Sequence, residues 1–136
     1  MTQRRSFSTD LAEVGAARRF VAGVLAARGV DPFPVDVVVS ELATNAAVHA
    51  GTPYTVGVEV RGDEVRIEVV DGSGVAPLIR GRSSRRQRGR GLLLVDRLAS
   101  SWGSAPTRGG KTVWCVVPVE VGAEAEARSD LESAQV

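Results

Sequence analysis

Apolar and polar positions alternate in two neighbouring stretches. From Thr55 to Arg61 the valines at 56, 58 and 60 fall on one side, and from Glu64 to Val70 Val65, Ile67 and Val69 do the same. Period-two patterning around Gly62-Asp63 predicts a β-hairpin with one buried face. Upstream the period changes. Val14, Ala17, Val21, Val24 and Leu25 recur at helical spacing between Asp10, with Glu13 three positions on, and Gly29. This predicts a helix opened by a capping box on Asp10 and stopped by glycine. Asp31-Pro32-Phe33-Pro34 reads as a turn, and a second helix is expected over about 35–50, ended by Gly51 and Pro53. Later, a helix is expected over about 92–101, then a short strand near Trp102, a turn over 106–110 and a strand over 111–119. Phe7 is placed on a short N-terminal strand. Helices interspersed with hairpins, without regular βαβ alternation, predict an α+β fold. The expected architecture is a two-layer sandwich of a mixed, mostly antiparallel sheet with helices on one face.

Two segments break the pattern. Residues 72–90 hold four glycines, one proline and six arginines with no acid. Such a stretch buries little and reads as a long loop of the kind that often serves as a lid. From Glu120 onward five acids stand against Arg128 alone, so 120–136 reads as an acidic flexible tail after a domain of 1–119.

Composition narrows the chemistry. The 136 residues are 43% hydrophobic, enough for one domain with a single core. No apolar run approaches the ~20 residues of a membrane helix, and the first residues lack a signal-peptide pattern. One cysteine, Cys115, can make no internal disulfide, so a reducing cytoplasmic setting is the default. One histidine, His49, excludes histidine-cluster metal chemistry. A net charge of +1 and 4% aromatics argue against nucleic acid as the main partner.

Three places could carry chemistry. Glu41, Asn45 and His49 lie four apart and form one polar helical stripe. A carboxylate beside an amide can take a proton and bind a hard cation. The ordinary alternative is a solvated outer face with an i,i+4 hydrogen bond. Asp71 continues the inward parity of Val65, Ile67 and Val69. A buried carboxylate is costly without strong donors, so Asp71 either caps the glycine-rich turn after it or meets a ligand bearing N–H groups. Gly89-Arg90-Gly91-Leu92 precedes a helix, where glycines permit close approach and a helix N-terminus favours phosphate. The arginines at 80, 82, 85, 86, 88 and 90 could grip phosphates or an acidic partner, or simply be solvated. Gly110-Lys111-Thr112 imitates a P-loop end but lacks its first glycine and its helix, and reads as a turn entering a strand.

In order, these motifs resemble a known pattern: Ser40-Glu41-Leu42-Ala43-Thr44-Asn45, then Val69-Val70-Asp71-Gly72-Ser73-Gly74, then Gly89-Arg90-Gly91-Leu92, and finally Trp102-Gly103 with Gly109-Gly110-Lys111-Thr112. The chain resembles, from about Phe7 to Val119, the actinobacterial anti-sigma-factor-like ATP-binding proteins and serine-protein kinases. These belong to the Bergerat-fold, histidine kinase-like ATPases. The resemblance implies ATP and Mg²⁺ as cofactors. Glu41 would be the catalytic general base and Asn45 the Mg²⁺ ligand. Asp71 would accept from the adenine amino group, supported by Thr112. His49, Gly74, Arg88, Gly89, Arg90, Gly91 and Leu92 would complete the ATP site, with the arginine-rich segment as its lid. It further implies phosphorylation of a serine on an anti-anti-sigma partner of the STAS fold, a sigma factor as second partner, and homodimerisation as an open option. The alternative is a catalytically inactive, nucleotide-gated protein-binding regulator. Binding of nucleic acid through the arginines ranks last.

Overall fold

The computed structural model describes residues 1–73 and 95–120. Its elements run β1 (Gln3–Phe7), α1 (Ala12–Ala27), α2 (Val35–Thr44), a π-helical continuation (Asn45–Ala50), β2 (Tyr54–Arg61), β3 (Glu64–Asp71), β4 (Ser101–Thr107) and β5 (Gly110–Pro118). A short helical stretch at 95–98 precedes β4.

The alternating segments pair as their pattern requires. Gly62, at φ 58°, turns β2 into β3, and Gly109, at φ 78°, turns β4 into β5. Both turns use the left-handed conformation that glycine adopts without strain. The strand order is β1-β2-β3-β5-β4. Every pairing is antiparallel, so the mostly antiparallel sheet contains no parallel pair among the described strands. Rows of inward side chains cross it: Val56, Val69 and Val113 in one, Val58, Ile67 and Cys115 in the next. All six are buried against Ala17, Val21 and Leu25 of α1 and Val35, Val38, Val39 and Leu42 of α2. Each fully buried valine, leucine or isoleucine contributes roughly 1.5–3 kcal/mol, so this layer supplies most of the driving force. The opposite sheet face is polar. There Glu68 accepts from Arg4 at 3.1 Å and Arg66 at 2.6 Å, and Arg66 lies 5.7 Å over the Trp114 ring.

Several boundaries differ from expectation for identifiable reasons. The capping pair at α1 is divided. Asp10 accepts from the Ala12 N–H at 2.9 Å, while Glu13 reaches back to the Ser8 N–H at 3.2 Å, not to Asp10. Gly29, at φ 72°, ends the helix as expected, with the Val30 N–H bonded to the Leu25 carbonyl. The second helix spans its predicted range but changes character at Asn45. The Gly51 N–H bonds to the Ala46 carbonyl, five residues back, which is the π pattern. The strand near Trp102 is longer than expected and runs through Pro106, leaving only Arg108 and Gly109 as the turn. Proline is tolerated because β4 is an edge strand. Among the described residues no helix is long and apolar enough to cross a membrane.

Candidate functional site

Asp71 ends β3 with its side chain on the helix-covered face, as its parity predicts; its side chain is 3% exposed. Directly opposite in the β3–β5 register stands Lys111, 9% exposed. Its Nζ lies 3.0 Å from Oδ1 and 2.9 Å from Oδ2 of Asp71. The Ser73 N–H donates to Oδ1 at 2.8 Å, so Asp71 does cap the following turn. Burying two charges costs several kcal/mol per ion unless they are paired and hydrogen-bonded, and this pair meets both conditions. A carboxylate offers about four acceptor positions. Lys111 and Ser73 occupy three, and the remaining one is on Oδ2.

The neighbouring backbone fixes this arrangement. The Gly72 N–H donates to Thr52 Oγ1 at 2.9 Å, tying the end of β3 to the segment just after the π turn. Gly51, at φ 68°, sets up that crossing. Gly110 packs against the Asp71 carbonyl, where a side chain would overlap. Its lack of a Cβ lets β5 start close enough for Lys111 to reach Asp71.

Asn45, at the α-to-π junction, is buried at 8% exposure, and its carboxamide makes no side-chain hydrogen bond among the described residues. Glu41, one turn earlier, is half-buried. The solvated-face reading of this stripe therefore fails at Asn45, and no side-chain bond joins Glu41 to Asn45. The π segment packs against β3, so Asn45 and Asp71 belong to adjoining elements. His49 sits near the end of that segment with its side chain exposed, apart from the buried pair.

Thr112, expected to support the adenine contact, does not share the face of Asp71. Inward positions on β5 are Val113, Cys115 and Val117, and Thr112 stands opposite Val70 on the other face. The residue that meets Asp71 is Lys111, which sequence reasoning missed. The signal was present: extending the parity of Val113, Cys115 and Val117 backwards places Lys111 inward. Gly74, Arg88, Gly89, Arg90, Gly91 and Leu92 lie outside the described residues, as do most of the proposed lid and the acidic tail. A cavity of about 370 Å³, lined by Asp31, Phe33, Pro34, Pro118, Val119 and Glu120, lies at the opposite end of β3 and β5. It contains neither Asp71 nor Asn45.

A buried carboxylate with one open acceptor position, beside a helix carrying a buried amide and a half-buried carboxylate, suits a ligand that is amino-bearing at one end and cation-bearing at the other. Residues 7–117 match the sequence profile of the histidine kinase-like ATPase domain. The chain belongs to this family. The chain is also similar in fold to a solved structure, the crystal structure of the RsbU and RsbW domains of Rv1364c from Mycobacterium tuberculosis. That structure superposes with a TM-score of 0.61 at 20% identity, over 88% of this chain and 32% of the other. This chain thus spans about a third of that relative's length, and at such identity the likeness is one of fold. No curated protein sequence matches this one.

Proposed function

We propose that this histidine kinase-like ATPase domain binds ATP with Mg²⁺ and transfers the γ-phosphoryl group to a serine of a STAS-domain anti-anti-sigma partner, acting as an anti-sigma-factor-like regulator. The observation that carries this reading is Asp71: inward, buried, and holding one acceptor position open on Oδ2. An exocyclic amine fills such a position with a single N–H. The solved relative's RsbW domain and its companion RsbU domain support a partner-switching role.

The residues fit the cation as well. Mg²⁺ is a hard cation held by protein oxygens together with substrate phosphates, and Asn45, a residue 8% exposed, offers a carboxamide oxygen with no hydrogen-bond partner among the described residues. The bound cation would neutralise charge on the phosphates. Asn45 would hold it, and Glu41, one helical turn away, would accept the proton of the attacking serine hydroxyl. As that proton moves to Glu41, the serine oxygen bonds to the γ-phosphorus and the bond to the ADP oxygen breaks. Positioning and charge neutralisation carry most of phosphoryl transfer, and a general base adds about 10²–10⁴-fold.

The test is calorimetric titration of ATP–Mg²⁺ into the protein and into Asp71→Asn, followed by transfer of labelled γ-phosphate to STAS-domain proteins. Saturable binding lost in Asp71→Asn, with transfer reduced about 10²–10⁴-fold in Glu41→Gln, is expected. Absence of binding at millimolar ATP would end the kinase reading. Binding without transfer to any STAS-domain protein would leave a nucleotide-gated regulator.

A further inference from the structure

Lys111 has no role in the reading above, yet it is among the few buried charged residues of the described chain. Its ammonium has three donors. Nζ lies 3.0 and 2.9 Å from the two Asp71 oxygens, which subtend too narrow an angle for two ammonium N–H bonds, so one N–H is shared between them. Among the described residues no acceptor is paired with the other two. An ammonium buried to this extent favours an acceptor for each proton, because an unfilled donor in a low-dielectric site is costly. The same end of the sheet therefore presents an open acceptor on Asp71 Oδ2 and an open donor on Lys111 Nζ, about 3 Å apart.

We infer that Lys111 is a specificity-determining residue that donates a hydrogen bond to ring N1 of the adenine whose 6-amino group Asp71 accepts. The inference rests on the ATP-binding reading and assigns a second base-reading group within it. Adenine carries its donor and acceptor side by side on one edge, the 6-amino group and N1 both being bonded to C6, in the order that Asp71 and Lys111 require. Guanine in the same pose reverses both: its O6 faces the carboxylate and its N1–H faces the ammonium. A charge-assisted bond to N1 is stronger than a neutral one. Its loss is expected to be visible in affinity.

The test compares ATP with 1-deaza-ATP, in which a C–H replaces N1, and with GTP, each as the Mg²⁺ complex and by calorimetry. The wild-type protein is expected to bind 1-deaza-ATP at least tenfold more weakly than ATP, and GTP more weakly still. Lys111→Met, with folding verified by circular dichroism, is expected to bind ATP and 1-deaza-ATP equally. The wild-type comparison needs no variant to fold. Equal wild-type affinity for ATP and 1-deaza-ATP overturns the assignment while leaving ATP binding intact. So does a Lys111→Met protein that keeps the full discrimination, or wild-type binding of GTP as tight as ATP. Wild-type failure to bind ATP at all instead overturns the ATP-binding reading, and this assignment with it.

Discussion

Gly110 and Asp71 are in backbone contact: a Cβ on Gly110 would overlap the Asp71 carbonyl oxygen and crowd Gly72 Cα, 2.9 Å away. The obstructing atoms are backbone and cannot rotate aside. Gly110→Ala should therefore push the start of β5 away from the end of β3 and pull Lys111 from its partner. Overpacking of this kind costs typically 1–3 kcal/mol, and urea unfolding would register it as a lower midpoint at unchanged slope. Nucleotide affinity should fall with it. An alanine variant with wild-type midpoint would show that this contact does not constrain the strands.

Much of this arrangement was legible in the sequence. Val56 to Val60 and Val65 to Val69 alternate so regularly that the hairpin, its turn and the inward side chain of Asp71 follow from the pleat alone. Gly29 and Gly51 marked the ends of the two helices because both adopt positive φ. The π turn was not legible: apolar residues in 35–50 fit a single helical period, and the slip at Asn45 shows only in backbone bonds such as Gly51 to Ala46. Lys111 was overlooked although the expected strand over 111–119 already contains it: Gly110-Lys111-Thr112 was weighed only as an imitation of a P-loop end and a turn entering a strand. The parity of Val113, Cys115 and Val117 makes position 111 inward. Glu13 found Ser8 instead of Asp10, a choice between neighbouring caps that spacing does not decide.

Burial pushes the Cys115 thiol up to about 12, against an unfolded value of about 8.5. The neutral form is favoured in the folded state, so this contribution to stability is complete below about pH 8.5. It is lost progressively as pH rises towards the folded value. Unfolding free energy should fall above about pH 8.5, by at most about 1.4 kcal/mol per pH unit from this one group. Denaturant titrations between pH 7 and 10.5 would show the decline, and Cys115→Ala should make it shallower. An alkaline limb identical in the variant would assign the decline to other groups.

Tyr54 stacks on Phe7 with ring centroids 5.7 Å apart and is 2% exposed, but its hydroxyl is buried without a hydrogen-bond partner among the described residues. Desolvation, with a smaller effect from Glu13, raises its pKa from 10.0. An unsatisfied buried hydroxyl costs roughly 1–3 kcal/mol. Tyr54→Phe keeps the stacked ring and removes the orphaned group, so the midpoint of thermal unfolding should hold or rise. The raised pKa acts in the same direction as that of Cys115, so the variant should also lose less stability at alkaline pH. A fall of several degrees at neutral pH would mean that the hydroxyl has a bond this structure does not show.

The two halves of the site should separate on titration. Asp71 and Lys111 form one end of the sheet and would read the base, while Asn45 stands on the π segment and would meet the phosphates through Mg²⁺. Adenosine, which has no phosphate, should bind Asn45→Ala as it binds wild type, with or without chelator, and should be lost in Asp71→Asn. ATP should bind wild type at least tenfold more weakly once EDTA removes Mg²⁺ and should bind Asn45→Ala–Mg²⁺ about as weakly. The cost lies in phosphate charge left without a cation, a larger effect than one neutral hydrogen bond. Chelator should then add little to the Asn45→Ala defect, because both changes remove the same interaction. If EDTA weakens ATP binding as strongly in Asn45→Ala as in wild type, the cation is held elsewhere, and Asn45 is a buried structural amide.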